Sequence, residues 1–289
     1  MIDRERIAEL VREALGAAGA GKGATAAQAT TATGLLAGGP DGAIVLGLDR
    51  GRNLGEPFDP RAMAEILAAT PARIGVGRAG PRYRTNTMLR FRADHAAAKD
   101  AVQGEVDPKL LEKLGLPELR TNAESKAEFL RRPDRGRALH PASRARVLEL
   151  VPRGVPLVII YGDGLSAAAL NEHLETFHGT LVQALAARGV RHAPAFFVRY
   201  SRVKVMDEVV NSTGAEAALF LCGERPGLGF ADSMSVYYMY RPPSGATDAD
   251  REVISNICPR GTPPADAAAK TADAIVRVLR DKKSGVILG

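Results

Sequence analysis

The chain has 289 residues, 45% of them hydrophobic and 25% charged, with a net charge of +6 and a pI near 9.5. That length fits one large domain or two unequal ones, since domains run to roughly 100–200 residues. No apolar run approaches the ~20 residues of a membrane span, Met1–Arg6 lacks the apolar stretch of a secretory signal, and Cys222 and Cys258 are too few for a disulfide framework, so a cytoplasmic protein with no membrane association is expected.

Residues 3–17 place Ile7, Leu10, Val11 and Leu15 on one helical face. Residues 18–34 are nearly all Gly, Ala, Thr and Gln, a linker composition. An N-terminal helix arm and linker over 1–45 is therefore expected. A mainly helical region over 46–150 follows. Asp59 and Pro60 open a helix to about Ala69, as N-cap and first helical residue. Thr85 to Val102 reads as a long helix, and 108–150 as three short ones broken at Gly115-Leu-Pro and Arg132-Pro133.

The pattern changes at Gly154. Val155 to Tyr161 is a continuous apolar run, as a buried parallel strand requires. Gly162 to Ser166 turns the chain into a helix reaching about Arg188. Ala193–Tyr200, Ala217–Cys222 and Ser233–Tyr240 read as further strands, with a helix over Val205–Ser212 ended by Gly214. An Ala-rich helix over Ala265–Asp281 comes last. The expected class is α/β: an N-terminal helical region, then a Rossmann-like parallel-sheet domain over 151–289.

Three constellations carry candidate chemistry. Gly75-Val-Gly77-Arg-Ala-Gly80 fits G-x-G-x-x-G, which would make the protein a free-standing nucleotide-binding oxidoreductase. That pattern needs a preceding strand and an opening helix; Pro81-Arg-Tyr-Arg follows instead. The other reading is a Gly/Pro loop presenting Arg78, Arg82 and Arg84 to a partner. Asp163, Gly164 and Ser166 sit at a strand-to-helix junction, where they either contact a ligand or cap the helix. In Gly223-Glu-Arg-Pro-Gly-Leu-Gly229, Glu224 and Arg225 stand just past an apolar strand. There a carboxylate can accept ligand amide N–H groups, or pair internally with Arg225.

The net positive charge suits an acidic partner or solvated Arg-rich faces. Arg131–Arg137 lacks the interleaved aromatics of a single-strand nucleic-acid platform, and no nucleic-acid role is assigned. No nucleophile elbow, Walker loop or zinc spacing occurs. His173 and His178 read as a half-exposed surface pair, so no protein metal site is expected.

Taken in order, several segments resemble the small (light) subunit of ethanolamine ammonia-lyase. They are GRAGPRYRT at 77–85, LRFRADHAAAKDAV at 89–102, FLRRPDRGRAL at 129–139, DGLSAAAL at 163–170, PAFFVRYSRVKVMDE at 194–208, GERPGLG at 223–229, ISNI at 254–257, GTPP at 261–264 and KKSGV at 282–286.

The resemblance implies adenosylcobalamin as cofactor and a large catalytic subunit as partner in a hetero-oligomer. It implies ethanolamine conversion to acetaldehyde and ammonia, with the catalytic residues in the large subunit and no activity in this chain alone. It implies cobalamin contacts at Val203, Glu224 and Val253, the last where the family has Cys, with Asp163, Gly164, Ser166 and Arg225 as further candidates. Cobalt is held by the cofactor; D-x-H-x-x-G, which would supply a lower axial His, is absent. Tyr83 and Ser201 stand where the family usually has Pro and Gly. The implied location is the cytoplasm, free or inside a bacterial microcompartment.

Overall fold

A computed structural model describes residues 57–70, 72–243 and 245–285, plus a short antiparallel strand pair, β1 (Ala37–Gly38) and β2 (Ile44–Val45). The expected helix at 3–17 and linker at 18–34 lie outside the described residues. The chain forms two compact units that divide between Arg90 and Phe91.

In the first unit, α1 (Pro60–Ala69) starts as its sequence predicts. The Asp59 carboxylate accepts from the Arg61 and Ala62 N–H groups at 2.9 and 3.0 Å. Two short strands, β3 (Arg78–Ala79) and β4 (Arg82–Tyr83), form a hairpin. Then α2 (Thr85–Gln103) crosses the division between the units.

The second unit holds α3 (Pro108–Lys113), β5 (Glu118–Arg120), α4 (Lys126–Arg131), a 3₁₀ turn at Arg135–Arg137 and α5 (Pro141–Leu150). It continues with β6 (Leu157–Gly164), α6 (Ala167–Ala187), β7 (Phe196–Arg199), α7 (Val205–Thr213) and β8 (Ala217–Gly223). It ends with β9 (Met234–Tyr240), a 3₁₀ turn at Asp248–Asp250, β10 (Glu252–Ile257) and α8 (Pro264–Asp281).

One sheet of six strands runs in the order β10-β9-β8-β6-β7-β5. The four from β8 to β5 are parallel, each next to its neighbour. The protein is thus mixed α/β with helices ahead of the sheet, as expected. Two details differ. The strand at 234–240 runs antiparallel to β8, and β10 runs antiparallel to β9. A parallel return takes a crossover of about a dozen residues or more, usually helical. The segment 224–233 between β8 and β9 has no helix, so the chain doubles back. And β5 comes from the stretch that reads as helical.

The central strands β6 and β8 are buried on both faces, which explains their unbroken apolar runs. Leu157, Ile159 and Tyr161 of β6 join Leu219 and Leu221 of β8 against Leu170, Phe177 and Leu181 of α6 and Ile275 of α8. The alternate residues Val158, Ile160, Ala218 and Phe220 face the other way, against Val147 of α5 and Val205, Met206 and Val209 of α7. Each fully buried side chain of this size contributes about 1.5–3 kcal/mol. Gly214 ends α7 in the left-handed region, at φ +70. No helix among the described residues is long and apolar enough to cross a membrane.

Candidate functional site

Because β6, β7 and β8 are parallel, their C-terminal ends share one edge of the sheet, the place where α/β proteins form ligand crevices. Glycine lets two of these ends close up. A Cβ on Gly223 would land on the Ser166 carbonyl oxygen, and one on Gly164, at φ +56, on the Gly223 carbonyl. The Leu165 N–H donates to the Gly223 oxygen at 3.0 Å. The turn out of β6 and the loop out of β8 are therefore locked backbone to backbone.

Ser166 caps α6: its hydroxyl accepts from the Ala169 N–H at 3.3 Å and donates to the Ala231 carbonyl at 2.6 Å. Asp163 is 1% exposed. It accepts from the Ser201 N–H at 3.0 Å and faces Lys126 Nζ at 3.9 Å. Burial pushes the Asp163 carboxyl up to about 6, against the opposing pull of Lys126 and the Ser201 N–H. Burial also lowers Lys126, with Asp163 acting to raise it.

Past β7 the backbone strain sits on Tyr200, at φ +56, while Ser201 is not among the positive-φ residues. The Ser201 hydroxyl donates to the Val198 carbonyl at 2.7 Å. Arg202 follows. Its N–H donates to the Gly136 carbonyl at 2.8 Å, its Nη2 to the Phe129 carbonyl at 3.3 Å, and its guanidinium lies 4.6 Å from the Phe129 ring centre. Gly136 permits this: a Cβ there would press into the Phe129 ring at 2.8 Å.

Past β8, Glu224 ties three segments together. One carboxylate oxygen accepts from the Ser233 hydroxyl at 2.5 Å. The other accepts from the Ser235 hydroxyl and from the Asn256 N–H, the latter at 2.8 Å. Glu224 does not pair with Arg225; its partners lie on and beside β9 and β10.

These elements enclose an open cleft of about 450 Å³. Val203, Glu224, Arg225, Val253 and Gly164 all line it, so five of the seven candidates meet in one place. Asp163 and Ser166 do not line it. Val253 is 49% exposed on the outer strand β10, opposite Tyr237 of β9.

Sequence reasoning missed Arg202, Phe129 and Arg137, which also line the cleft. The only signals were adjacency to Val203 and the basic run at 131–137. Cys222 lines it too; burial pushes its thiol up to about 12, aided by Asp163 and Glu224, so it stays protonated.

His173 and His178 do not form the expected surface pair. His173 is buried, with Nε2 3.6 Å from Asp232, whereas His178 Nδ1 meets the Tyr161 hydroxyl at 2.8 Å. Among the described residues no three His, Cys, Asp or Glu gather as a metal site.

The Gly75–Gly80 segment does not have dinucleotide-site geometry. No strand precedes it over 72–77, and its second half is the β3–β4 hairpin turned at Gly80 and Pro81. Arg78 is drawn back into the hairpin, 4.5 Å from the Tyr83 ring centre and bonded to the Pro81 carbonyl at 3.3 Å.

The family model described as ethanolamine ammonia-lyase light chain matches residues 60–289. The ethanolamine ammonia-lyase small subunit of Clostridium perfringens is 42% identical over 232 residues, covering 80% of this chain and 79% of that one. That of Clostridium acetobutylicum is 41% identical over 226 residues, covering 78% and 93%. That of Clostridium tetani is 43% identical over 232 residues, covering 80% and 79%.

Proposed function

The chain belongs to the ethanolamine ammonia-lyase light-chain family, and we propose that it holds adenosylcobalamin against a large catalytic chain of that lyase. The observation that carries this is convergence. Val203, Glu224 and Val253 come from three separate segments and line one cleft at the C-terminal edge of the sheet.

The cleft's chemistry fits a corrinoid. Val203 and Val253 offer apolar surface to a broad ring face. A carboxylate has about four lone-pair sites, and Glu224 uses three on Ser233, Ser235 and Asn256. One acceptor site remains for a corrin side-chain amide. The cleft of about 450 Å³ is open on one side, which leaves room for a second chain to supply the opposite wall.

When bound, adenosylcobalamin supplies the radical chemistry that turns ethanolamine into acetaldehyde and ammonia. This chain's residues bind and orient. The locked glycine backbone at Gly164 and Gly223 fixes the floor. Glu224 holds β8, β9 and β10 in register around the cleft, and Val203 and Val253 exclude water from the covered face. Burial keeps the thiol that lines the cleft, Cys222, protonated. The catalytic residues belong to the large chain, and this chain alone is inactive. The complex works in the cytoplasm, free or inside a microcompartment.

The test is co-expression with a cognate large chain, followed by ammonia release from ethanolamine and adenosylcobalamin. Release that requires both chains is expected. Release by the large chain at full rate without this one would overturn the proposal.

A further inference from the structure

We infer that the β3–β4 hairpin docks on an acidic surface of the large catalytic chain, with Arg82 as its leading contact. This rests on the pairing with a large chain proposed above and adds where this chain meets it. The hairpin belongs to the first unit and lines no part of the cleft.

The charge there is one-sided. Residues 66–90 hold five arginines, Arg73, Arg78, Arg82, Arg84 and Arg90, and no Asp, Glu, Lys or His. Residues 78–86 are all exposed. Among the described residues the Arg82 side chain makes no hydrogen bond or ion pair. Arg78 and Arg84 bond within the hairpin and to no acid. Arg78 donates to the Pro81 carbonyl at 3.3 Å and the Tyr83 hydroxyl at 3.4 Å, and Arg84 Nε to the Arg78 carbonyl at 3.2 Å. Exposed cations with no acid to offset them favour an acidic partner.

The hairpin holds its shape without a partner. Its register pairs Ala79 with Arg82 and leaves Gly80 and Pro81 as a two-residue turn. Gly80 takes φ +61, which glycine allows at the first turn position, and the Pro81 ring fixes the second. The Arg78 guanidinium lies 4.5 Å from the Tyr83 ring centre. At the base, the Arg84 N–H and the Thr87 hydroxyl both donate to the Gly77 carbonyl, at 3.0 and 3.2 Å. A preordered hairpin loses little conformational freedom on docking.

The composition favours a protein as the occupant. Arg and Tyr stand together without Lys, and Met88 and Leu89, in the first turns of α2, are exposed. Arg, Tyr and Met are enriched at protein interfaces and Lys is depleted. A phosphate backbone is bound through charge and gains nothing from exposed Met and Leu.

The experiment measures association of the full chain with a cognate large chain by biolayer interferometry, with and without saturating cyanocobalamin. Wild type is compared with Arg82→Glu, Arg82→Gln and Arg82→Lys. Arg191→Glu makes the same charge change as Arg82→Glu at an exposed arginine of the second unit and serves as the control. Arg82→Glu should weaken association by about 10–100-fold, the range for a close charge pair across an interface. Arg82→Gln should weaken it by about 5–10-fold, and Arg82→Lys by less than about threefold. Arg191→Glu should change it by less than about twofold. Raising the salt from roughly 0.05 to 0.3 M should weaken wild type more than Arg82→Gln. A duplex oligonucleotide should not displace the large chain.

Equal losses for Arg82→Glu and Arg191→Glu would make the effect one of net charge and overturn the inference. So would a salt dependence that is the same in wild type and Arg82→Gln. Displacement of the large chain by the oligonucleotide, lost in Arg82→Glu, would assign the hairpin to nucleic acid and also overturn it. If wild type does not associate with the large chain, with or without cyanocobalamin, the pairing itself fails. If wild type associates and Arg82→Glu and Arg82→Gln match it, only this inference fails.

Discussion

The Glu224 carboxylate accepts the Asn256 N–H at 2.8 Å, joining the end of β8 to the outer strand β10 two strands away. Asn256 sits at φ +57, beside the irregular step between Ile254 and Ile257. With the two serine hydroxyls on the same carboxylate, Glu224 is both a wall of the cleft and the pin that shapes it.

Removing that pin should cost stability as well as cofactor affinity. Glu224→Ala leaves the Ser233, Ser235 and Asn256 donors without their acceptor and should cost ~2–3 kcal/mol in chemical denaturation. Glu224→Gln keeps one acceptor oxygen and should cost about 1 kcal/mol. An unchanged denaturation midpoint for Glu224→Ala would show that the pin is not needed.

The buried Lys126–Asp163 pair predicts a pH dependence. The Asp163 carboxyl titrates at about 6 in the folded chain, above its ordinary value of 3.8. The folded state therefore holds this proton more tightly than the unfolded one. Its ionisation opposes folding above about pH 6, and the penalty is relieved as pH falls toward 4. By the usual conversion the effect is on the order of 3 kcal/mol. Wild type should gain stability relative to Asp163→Asn as the pH is lowered from 7 to 5. A stability difference that stays flat over that window would contradict the assignment.

The glycines of the 223–229 loop should not be equivalent. Alanine at Gly223 places its Cβ on the Ser166 carbonyl, a backbone atom that cannot turn aside, whereas alanine at Gly229 meets nothing within 4 Å. Gly223→Ala should cost ~3 kcal/mol or more, and Gly229→Ala less than about 0.5 kcal/mol. Equal thermal shifts for the two would contradict the close packing of Gly223 on the β6–α6 turn.

Val253 stands where the resemblance implies a cysteine. It lies on the outer strand with 49% of its surface exposed. Val253→Cys should change stability by less than about 0.5 kcal/mol. If the contact there is made by backbone, cobalamin affinity should also shift by less than about threefold. A large gain in affinity would give the thiol a role of its own.

The strands of the sheet's centre were legible because burial on both faces leaves an unbroken apolar run, as in β6 and β8. The helix bounds at Asp59-Pro60 and Gly214 were legible because caps are local chemistry. β5 was not: Glu118, Leu119 and Arg120 alternate exposed, buried, exposed, and only pairing with β7 makes them a strand. The direction of β9 was not legible either, since it depends on where the chain returns. β10 was hidden by its exposed, polar face and its irregularity near Asn256.

Val203, Glu224 and Val253 are singled out by the resemblance alone, and all three line the cleft. Arg202 was passed over because its burial depends on Phe129 and Gly136, far upstream in the chain. The sequence reads Asp163 and Ser166 as ligand contacts or caps. The geometry places Ser166 as a cap and Asp163 as a buried partner of Lys126.

Retention of cyanocobalamin on gel filtration tests the clamp most directly. This chain alone, the large chain alone and the two together are each mixed with cyanocobalamin and passed over the column. Stoichiometric retention by the complex, with at most weak retention by either chain alone, is the expected result. Equal retention by the large chain with and without this one would contradict the role of the Glu224 cleft as half of the cobalamin site.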